Sequence, residues 1–260
     1  MQPLATWRPS KPIIGVLTDI DDTLTTDGAI TPDALQALAR LQAAGFKVIP
    51  ITGRPVGWSA PFAQSWPVDA IVAENGAVGL IHSPGQTLRK IYQQSAAERA
   101  QNLARMQAVS QRVLKEVPAS RLAQDSAGRE TDIAFDHSEF NHLPQTAMDD
   151  VLHILRSEGM TATVSSIHIN AWFGEHNKLE GARWIVRALW GRDLDAEIDQ
   201  WVYVGDSTND QVMFAHCANS VGVANICRFE AQLSHPPQFI TRGERGAGFA
   251  ELTQHLLGFS

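Results

Sequence analysis

The strongest constraint on the fold is an alternation of buried strands and amphipathic helices that stops in mid-chain and later resumes. The segment PIIGVLTD, residues 12–19, is apolar on both faces, as strands of a parallel sheet are. A helix follows, with Thr31 as its N-cap, Pro32 in its first turn and Gly45 at its end. The next buried strand is FKVIPIT, residues 46–52. Strand, helix, strand in this order predicts a right-handed crossover and a parallel sheet.

The middle of the chain has a different pattern. A long helix opens with a capping box from Ser95 to Glu98, and a strand in GRETDIAFD precedes a second helix that ends at Gly159. The segment TATVSSIHINAWF, residues 161–173, is predicted as one strand with an apolar and a polar face. The apolar face is Ile167, Ile169, Ala171 and Phe173, and the polar face is Ser166, His168, Asn170 and Trp172. Helices over a sheet with one polar face indicate an α+β unit.

From about residue 178 the first pattern returns, with a helix, the strand WVYVGD, further short strands and a final helix. The predicted fold class is therefore α/β, a Rossmann-like parallel-sheet core with an inserted α+β cap domain. The core is predicted to comprise residues 1–82 and 175–260, and the cap residues 83–174.

Composition narrows the possible functions. The net charge of -7 argues against a nonspecific nucleic-acid binder, because such proteins cluster Lys and Arg. Cys217 and Cys227 form no CxxC pair, which suits a reducing compartment. No signal-peptide pattern and no apolar run of about 20 residues is seen. We expect a cytoplasmic protein, a monomer or homodimer, that binds neither nucleic acid nor membranes.

Acidic and hydroxyl side chains follow several of the predicted strands. Asp19 and Asp21 follow the first strand, Thr52 and Gly53 the second, and the segment 206–210 a late one. Since ligands bind beyond the carboxyl ends of parallel strands, these groups should converge at one edge. Asp19 and Asp21, two residues apart in an extended segment, point the same way and suit a nucleophile and an acid/base. Such oxygen ligands favour Mg²⁺.

Acidic segments such as these have two simpler interpretations, a solvated loop and a calcium-binding loop. A single acidic turn is more often a solvated loop than a site. An EF-hand calcium loop does not fit, because the sixth and twelfth positions counted from Asp19 are Leu24 and Ile30 rather than Gly and Glu, and counting from Asp206 fails in the same way. Two acidic clusters at strand ends far apart in sequence favour a metal site.

Four segments together resemble a known family. DIDDT (19–23), TGR (52–54), Lys178 before a helix and GDSTND (205–210) resemble, in order and spacing, the motifs of the haloacid dehalogenase-like superfamily. The insertion, the ENGA hairpin (74–77) and GDSxND are similar to its subclass IIB. That subclass includes sucrose-phosphatase, mannosyl-3-phosphoglycerate phosphatase, phosphomannomutase and many sugar-phosphate phosphatases.

The resemblance implies a role for each motif. Asp19 would be the nucleophile that forms an aspartyl-phosphate, and Asp21 the acid/base. The phosphate- or substrate-binding residues would be Thr52, Gly53, Arg54, Lys178 and Asn209. The Mg²⁺ ligands would be the carboxylate of Asp19, the backbone carbonyl of Asp21 and Asp206, with Asp210 acting through water. Arg54 is expected either to brace Asp210 or to contact the ligand.

The resemblance implies a Mg²⁺-dependent phosphatase that acts on a small phosphorylated molecule, a sugar phosphate or a related polyol phosphate, beneath a mobile cap. Cap residues that could contact the leaving group are Arg129, His168, Asn170 and Trp172; these side chains could equally face solvent or a cap helix. Two alternatives stay open. One is a phosphomutase-like phosphotransferase on hexose phosphates, and the other a non-catalytic sugar-phosphate-binding protein.

Overall fold

The computed structural model describes residues 1–83 and 85–258. The strands, in chain order, are β1 (Gln2–Pro3), β2 (Gly15–Thr18), β3 (Thr25–Thr26), β4 (Ala29–Ile30), β5 (Lys47–Pro50), β6 (Ile71–Ala73), β7 (Val78–Ile81), β8 (Arg89–Tyr92), β9 (Ile133–Asp136), β10 (Thr161–Val164), β11 (His168–Trp172), β12 (Trp201–Gly205), β13 (Ser220–Gly222) and β14 (Phe239–Ile240). The α-helices are α1 (Pro32–Ala43), α2 (Val56–Ser65), α3 (Ala96–Glu116), α4 (Gln145–Ser157), α5 (Lys178–Trp190), α6 (Gln211–His216) and α7 (Arg245–Leu257). None of the helices in this part of the chain is both long and apolar enough to cross a membrane.

A six-stranded parallel sheet forms the centre of the molecule. Its strand order is β1–β14–β13–β12–β2–β5, and every neighbouring pair is parallel. Successive residues of β2 point to opposite faces. Val16 packs in one apolar cluster with α1 and α7, and Leu17 in a second with α5 and α6. Helices thus cover both faces of the sheet, which confirms the predicted α/β core.

A second sheet adjoins this core. Strands β6, β7 and β8 form an antiparallel sheet, and a parallel bridge between Ile51 and Val72 links it to the end of β5. The predicted division at residues 82 and 83 stays a prediction. The pairing of β8 with β7 places the first strand after that division beside the core strands.

We call residues 95–173 the insert. Helices α3 and α4 pack on one face of an antiparallel sheet of order β10–β11–β9 and share a separate apolar cluster. The Ser95–Glu98 capping box is formed as predicted. The prediction of one strand over residues 161–173 is wrong, because β10 and β11 form a hairpin. The Ser165 hydroxyl accepts hydrogen bonds from the backbone N–H groups of Ile167 and His168, which stabilises the turn between them.

The predicted alternation holds within β11. Ile169 and Ala171 lie in the apolar cluster of the insert. On the opposite face, Asn170 donates to the Gly53 carbonyl and Trp172 donates to the His176 carbonyl. The polar face of the insert sheet therefore covers the core rather than solvent.

Glu74, in the ENGA turn, joins the core to the insert. Its carboxylate is fully buried and accepts hydrogen bonds from the backbone N–H groups of Val56 at 3.0 Å, Glu130 at 3.0 Å and Thr131 at 2.6 Å. The Thr131 hydroxyl donates to the same carboxylate. The turn thus has a structural role at the junction of core and insert.

We expect Glu74→Gln to lower the free energy of unfolding by about 2–4 kcal/mol, because the amide nitrogen cannot accept from these donors. Urea unfolding at about pH 8 measures it, since burial, followed by Asp132, raises the pKa of Glu74 to about 7. Glu130→Gln is the matched control: its half-buried side chain pairs with Lys90 at the same border and should contribute under about 1 kcal/mol. Equal losses in the two variants would contradict the role of Glu74.

Candidate active site

Asp19 directly follows β2, and its backbone N–H still bonds to the Val204 carbonyl of β12, at 2.8 Å. The chain then turns sharply, with the N–H groups of Thr23 and Leu24 both donating to the Ile20 carbonyl. The side chains of Asp19 and Asp21 both line a small cleft between the core and the insert. The convergence expected at the sheet edge is therefore present for these two residues.

Lys178 is the central cation of the site. Its Nζ atom lies 2.7 Å from Asp19 Oδ1 and 2.6 Å from Asp210 Oδ1, and the side chain is buried. The Asn177 side chain caps α5 by accepting from the N–H groups of Leu179 and Glu180, so the helix begins at Lys178. The end of one core helix is thereby fixed against the end of β2.

A close backbone contact sets the position of this helix start. Gly76 has a φ of +111°, and a Cβ atom there would lie 2.2 Å from the Asn177 carbonyl oxygen. Gly181 approaches the same turn, since a Cβ on it would lie 2.5 Å from Gly76 Cα. Two glycines therefore let the ENGA turn pack directly on α5, which holds Lys178 in the site.

Burial governs the ionisation of the acidic groups. It raises the pKa of Asp19 to about 7, although Lys178 opposes this shift. Burial and the nearby Asp19 raise the pKa of Asp206 well above its ordinary value. Burial also opposes the charge on Lys178, but Asp19 and Asp210 together raise its pKa above the usual value. The lysine is therefore cationic. The positive charge near Asp19 and Asp206 is too small to offset the effect of burial on their pKa values.

Asp210 is held by direct contacts on both oxygens. Oδ1 accepts from Lys178 and from the Tyr203 hydroxyl, and Oδ2 accepts from the backbone N–H groups of Asp206 at 2.9 Å and Ser207 at 3.1 Å. Asp210 thus organises the loop after β12. Tyr203 was missed in the sequence because β12 reads only as a buried strand; the signal available was a buried Tyr, whose hydroxyl needs a partner.

One oxygen of Asp206 remains without a partner. Asp206 Oδ1 is buried and has no hydrogen bond, whereas Oδ2 accepts from the Asn225 side chain at 3.1 Å. Single carboxylate oxygens of Asp19, Asp206 and Asp210 all lie within 4.8 Å of one another. Hard oxygen ligands around an unpaired buried oxygen fit a divalent cation such as Mg²⁺.

Asn225 is a site residue that the sequence analysis missed. Besides Asp206, its amide donates to the Asp22 carbonyl at 3.0 Å, and its carbonyl accepts from the Arg245 N–H at 2.9 Å. It follows β13 at the same sheet edge as the aspartates, so the rule of strand ends could have identified it.

The TGR segment lies between β5 and β6. Thr52 Oγ1 accepts from the Arg54 N–H at 3.0 Å. Arg54 does not brace Asp210, whose oxygens already have the four donors above; its Nε atom bonds to Asp21 at 3.0 Å instead. The Gly53 carbonyl accepts from the side chains of Arg129 and Asn170. Asn209 Oδ1 lies 3.4 Å from Lys178 Nζ.

The four predicted cap contacts have different surroundings. Arg129 and Asn170 both reach the Gly53 carbonyl, and both also bond to Asp132. His168 lies beside Glu139, with 2.9 Å between Nε2 and Oε2. Trp172 stacks on His176, with ring centroids 5.2 Å apart.

A larger cavity of about 390 Å³ opens between the core and the insert next to this cleft. Asp21, Arg54 and Asp206 reach it from the acidic site. Its outer wall carries Phe140, which is 64% exposed, together with Phe229, Arg228 and Arg245. The site therefore connects a buried acidic floor to a space with mixed aromatic and polar walls.

Comparison with known proteins shows similarity to one family and to several solved structures. Residues 16–114 match the model of the haloacid dehalogenase-like hydrolases. No curated protein sequence matches significantly. Among solved structures, a Thermoplasma acidophilum protein is 17% identical with a TM-score of 0.69, covering 95% of this chain and 99% of its own. Sucrose-phosphatase from Synechocystis, solved with sucrose and phosphate, is 16% identical with a TM-score of 0.66, covering 95% and 98%.

A third structure is described as a subclass IIB sugar phosphatase. It is 15% identical to this chain, with a TM-score of 0.65, and the match covers 95% of this chain and 99% of that one. At such identities the structural likeness establishes the fold, which extends over both the core and the insert. The haloacid dehalogenase-like hydrolase model matches residues 16–114, which include the DIDDT and TGR segments, and the solved structures share the fold of this chain.

Proposed function

We propose that this protein is a Mg²⁺-dependent phosphatase that hydrolyses a sugar phosphate through an aspartyl-phosphate on Asp19. The observation that carries the proposal is the buried contact of 2.7 Å between Lys178 Nζ and Asp19 Oδ1 at the mouth of an acidic cleft. A lysine in this position opposes the effect of burial on the pKa of Asp19, favours the ionised nucleophile and balances the charge of an incoming phosphate.

Asp19 would attack phosphorus in line with the leaving group. An O–P bond to the Asp19 carboxylate forms as the bond from phosphorus to the sugar oxygen breaks. Asn209, which lines the same cleft as Asp19, and Thr52, which follows the neighbouring strand β5, would hydrogen-bond the phosphoryl oxygens. Phosphoryl transfer depends mainly on positioning and charge neutralisation. The protein therefore needs to supply only this small set of groups.

Asp21 would act first as the general acid and then as the general base. Its side chain is 14% exposed and lines both the cleft and the larger cavity. As an acid it gives a proton to the departing sugar oxygen. As a carboxylate it then takes a proton from the water that attacks the aspartyl-phosphate, which releases phosphate and restores both aspartates.

The carboxylates of Asp19 and Asp206 and the backbone carbonyl of Asp21 would hold Mg²⁺, with Asp210 ordering the loop that carries Asp206. When bound, the ion supplies further positive charge next to the phosphoryl oxygens. The unpaired Asp206 oxygen supports this assignment.

The insert, residues 95–173, would form most of the cap, which the sequence predicts as residues 83–174, over a core predicted as residues 1–82 and 175–260. The cavity volume of about 390 Å³ lies in the range of small-molecule sites. Aromatic rings beside hydroxyl, carboxylate and guanidinium groups suit a sugar, which has apolar C–H faces and many hydroxyls. The sucrose-phosphatase among the structural relatives supports the same substrate class.

The wild type should release phosphate from at least one member of a sugar-phosphate panel in the presence of MgCl₂. Asp19→Asn should lower kcat by about 10³-fold or more, since the amide is a poor nucleophile. Asp150→Asn, an exposed change on α4, is the control and should keep full activity. Free phosphate is assayed beside the sugar products.

Unchanged hydrolysis by Asp19→Asn would exclude Asp19 as the nucleophile. An isomeric sugar phosphate without free phosphate would indicate a mutase. Absence of turnover with every ester would leave a binding protein.

Mg²⁺ should stabilise the wild type after treatment with a chelator, by about 2.7 kcal/mol at a concentration one hundred times Kd. Asp206→Asn should abolish this gain while leaving the metal-free protein at least as stable, because it removes one of three crowded carboxylates. Thermal unfolding with and without MgCl₂ measures both effects. An equal Mg²⁺ shift in the variant would place the ion elsewhere.

A further inference from the structure

Arg54 is buried among three carboxylates that come from both parts of the molecule. Its side chain is only 5% exposed. Asp21 lies on the core side, and Asp125 and Glu139 lie in the insert. The Trp58 ring also packs against the guanidinium, with its centroid 5.0 Å from Cζ. Since an Arg at this position was expected only to touch Asp210 or the ligand, these contacts assign it a different role.

Each nitrogen of the guanidinium has a partner. Nε donates to both Asp21 oxygens, at 3.0 Å and 3.1 Å. Nη2 donates to Glu139 Oε1 at 2.7 Å, and Nη1 lies 3.2 Å from Asp125 Oδ2. One edge of the planar group therefore orients the carboxylate of Asp21, while the other end is held by the insert.

The loop on the insert side of this contact has hydrogen bonds of its own. The Asp136 carboxylate accepts hydrogen bonds from the N–H groups of Ser138, Glu139 and Phe140, which fixes the loop that presents Glu139. Glu139 also contacts His168 at 2.9 Å. Burial opposes its ionisation, but hydrogen bonds from His168 and Arg54 lower the pKa of Glu139 to about 2.

Asp125, the second insert carboxylate, is braced in turn. Arg129 lies 3.1 Å from it, and the same guanidinium donates to the Gly53 carbonyl, adjacent to Arg54 in sequence. Undocking the insert would break the contacts of Arg54 with Asp125 and Glu139 but leave those with Asp21. The orientation of Asp21 would then depend on a single flexible arginine.

We propose that Arg54 is a positioning residue that couples docking of the insert to the orientation of the Asp21 side chain. Held by Asp125 and Glu139, Arg54 directs the Asp21 carboxyl group toward the cavity that receives the leaving group. When the insert is undocked, Arg54 and Asp21 lose this fixed direction. Proton transfer to the leaving group is therefore efficient only beneath a docked insert.

The inference rests on the proposed function, and its test uses the dependence of the rate on the leaving group. A sugar alkoxide is a poor leaving group and needs the proton from Asp21, whereas p-nitrophenolate leaves readily without one. A variant that misaligns Asp21 should therefore slow hydrolysis of a sugar phosphate much more than hydrolysis of p-nitrophenyl phosphate.

The main variant is Arg54→Lys, which keeps the positive charge but loses the planar fork. Its kcat should fall about 10–100-fold on the hexose phosphate that the wild type hydrolyses fastest, and under about 3-fold on p-nitrophenyl phosphate. KM for both esters should change little. Glu139→Gln combined with Asp125→Asn should reproduce the same selective loss with a smaller magnitude.

Glu130→Gln is the control for docking in general, because Glu130 pairs across the same border with Lys90 and Tyr92 but has no contact with Asp21. Its rates on both esters should stay within about 2-fold of the wild type. Circular dichroism and thermal unfolding confirm that each variant is folded.

Equal losses on the two esters in Arg54→Lys would overturn the positioning role. Full activity of the Glu139→Gln, Asp125→Asn double variant on the hexose phosphate would overturn the coupling to the insert. A wild type that hydrolyses neither ester would instead refute the proposed function itself.

Discussion

The site depends on one buried cation, Lys178, placed between Asp19 and Asp210. Three carboxylates, those of Asp19, Asp206 and Asp210, crowd within 4.8 Å, and one lysine lies among them. The excess of two negative charges equals the charge of one divalent ion. Without such an ion the protein must either hold protons on these groups or bear their repulsion. The raised pKa values of Asp19 and Asp206 are consistent with this excess of buried negative charge.

The backbone brings these groups together from positions far apart in the chain. The parallel pairing of β12 with β2 sets Asp206 beside Asp19, and the N-cap of α5 starts the helix at Lys178. Asn225, after β13, then ties Asp206 to the loop that carries Asp22. Each contribution comes from the end of a strand or the first turn of a helix, where backbone groups leave room for a ligand.

These regularities explain what the sequence could predict. The alternating core and the capping box of α3 follow local patterns and were predicted correctly. The strand-end rule also placed Asp19, Asp206 and Asp210 at one edge, where the structure has them close together. The hairpin at 165–167 was missed, because apolar and polar residues alternate through the turn as they do in a strand. The partners of Arg54 were missed for another reason. Asp125 and Glu139 are charged residues in irregular segments, and only the tertiary docking of the insert brings them to Arg54.

Several contacts between core and insert are made by charged and polar groups. Glu74 binds backbone N–H groups of the insert, and Arg54 and Arg129 exchange hydrogen bonds across it. An apolar border would hold the two parts together because separation would expose apolar surface to water, and water cannot compensate that cost with hydrogen bonds. Carboxylates and guanidinium groups can be solvated when the parts separate, so the free-energy difference between docked and undocked states is smaller. The proposed function needs a cap that opens to admit a sugar phosphate and to release the products, and a border of this kind suits such opening.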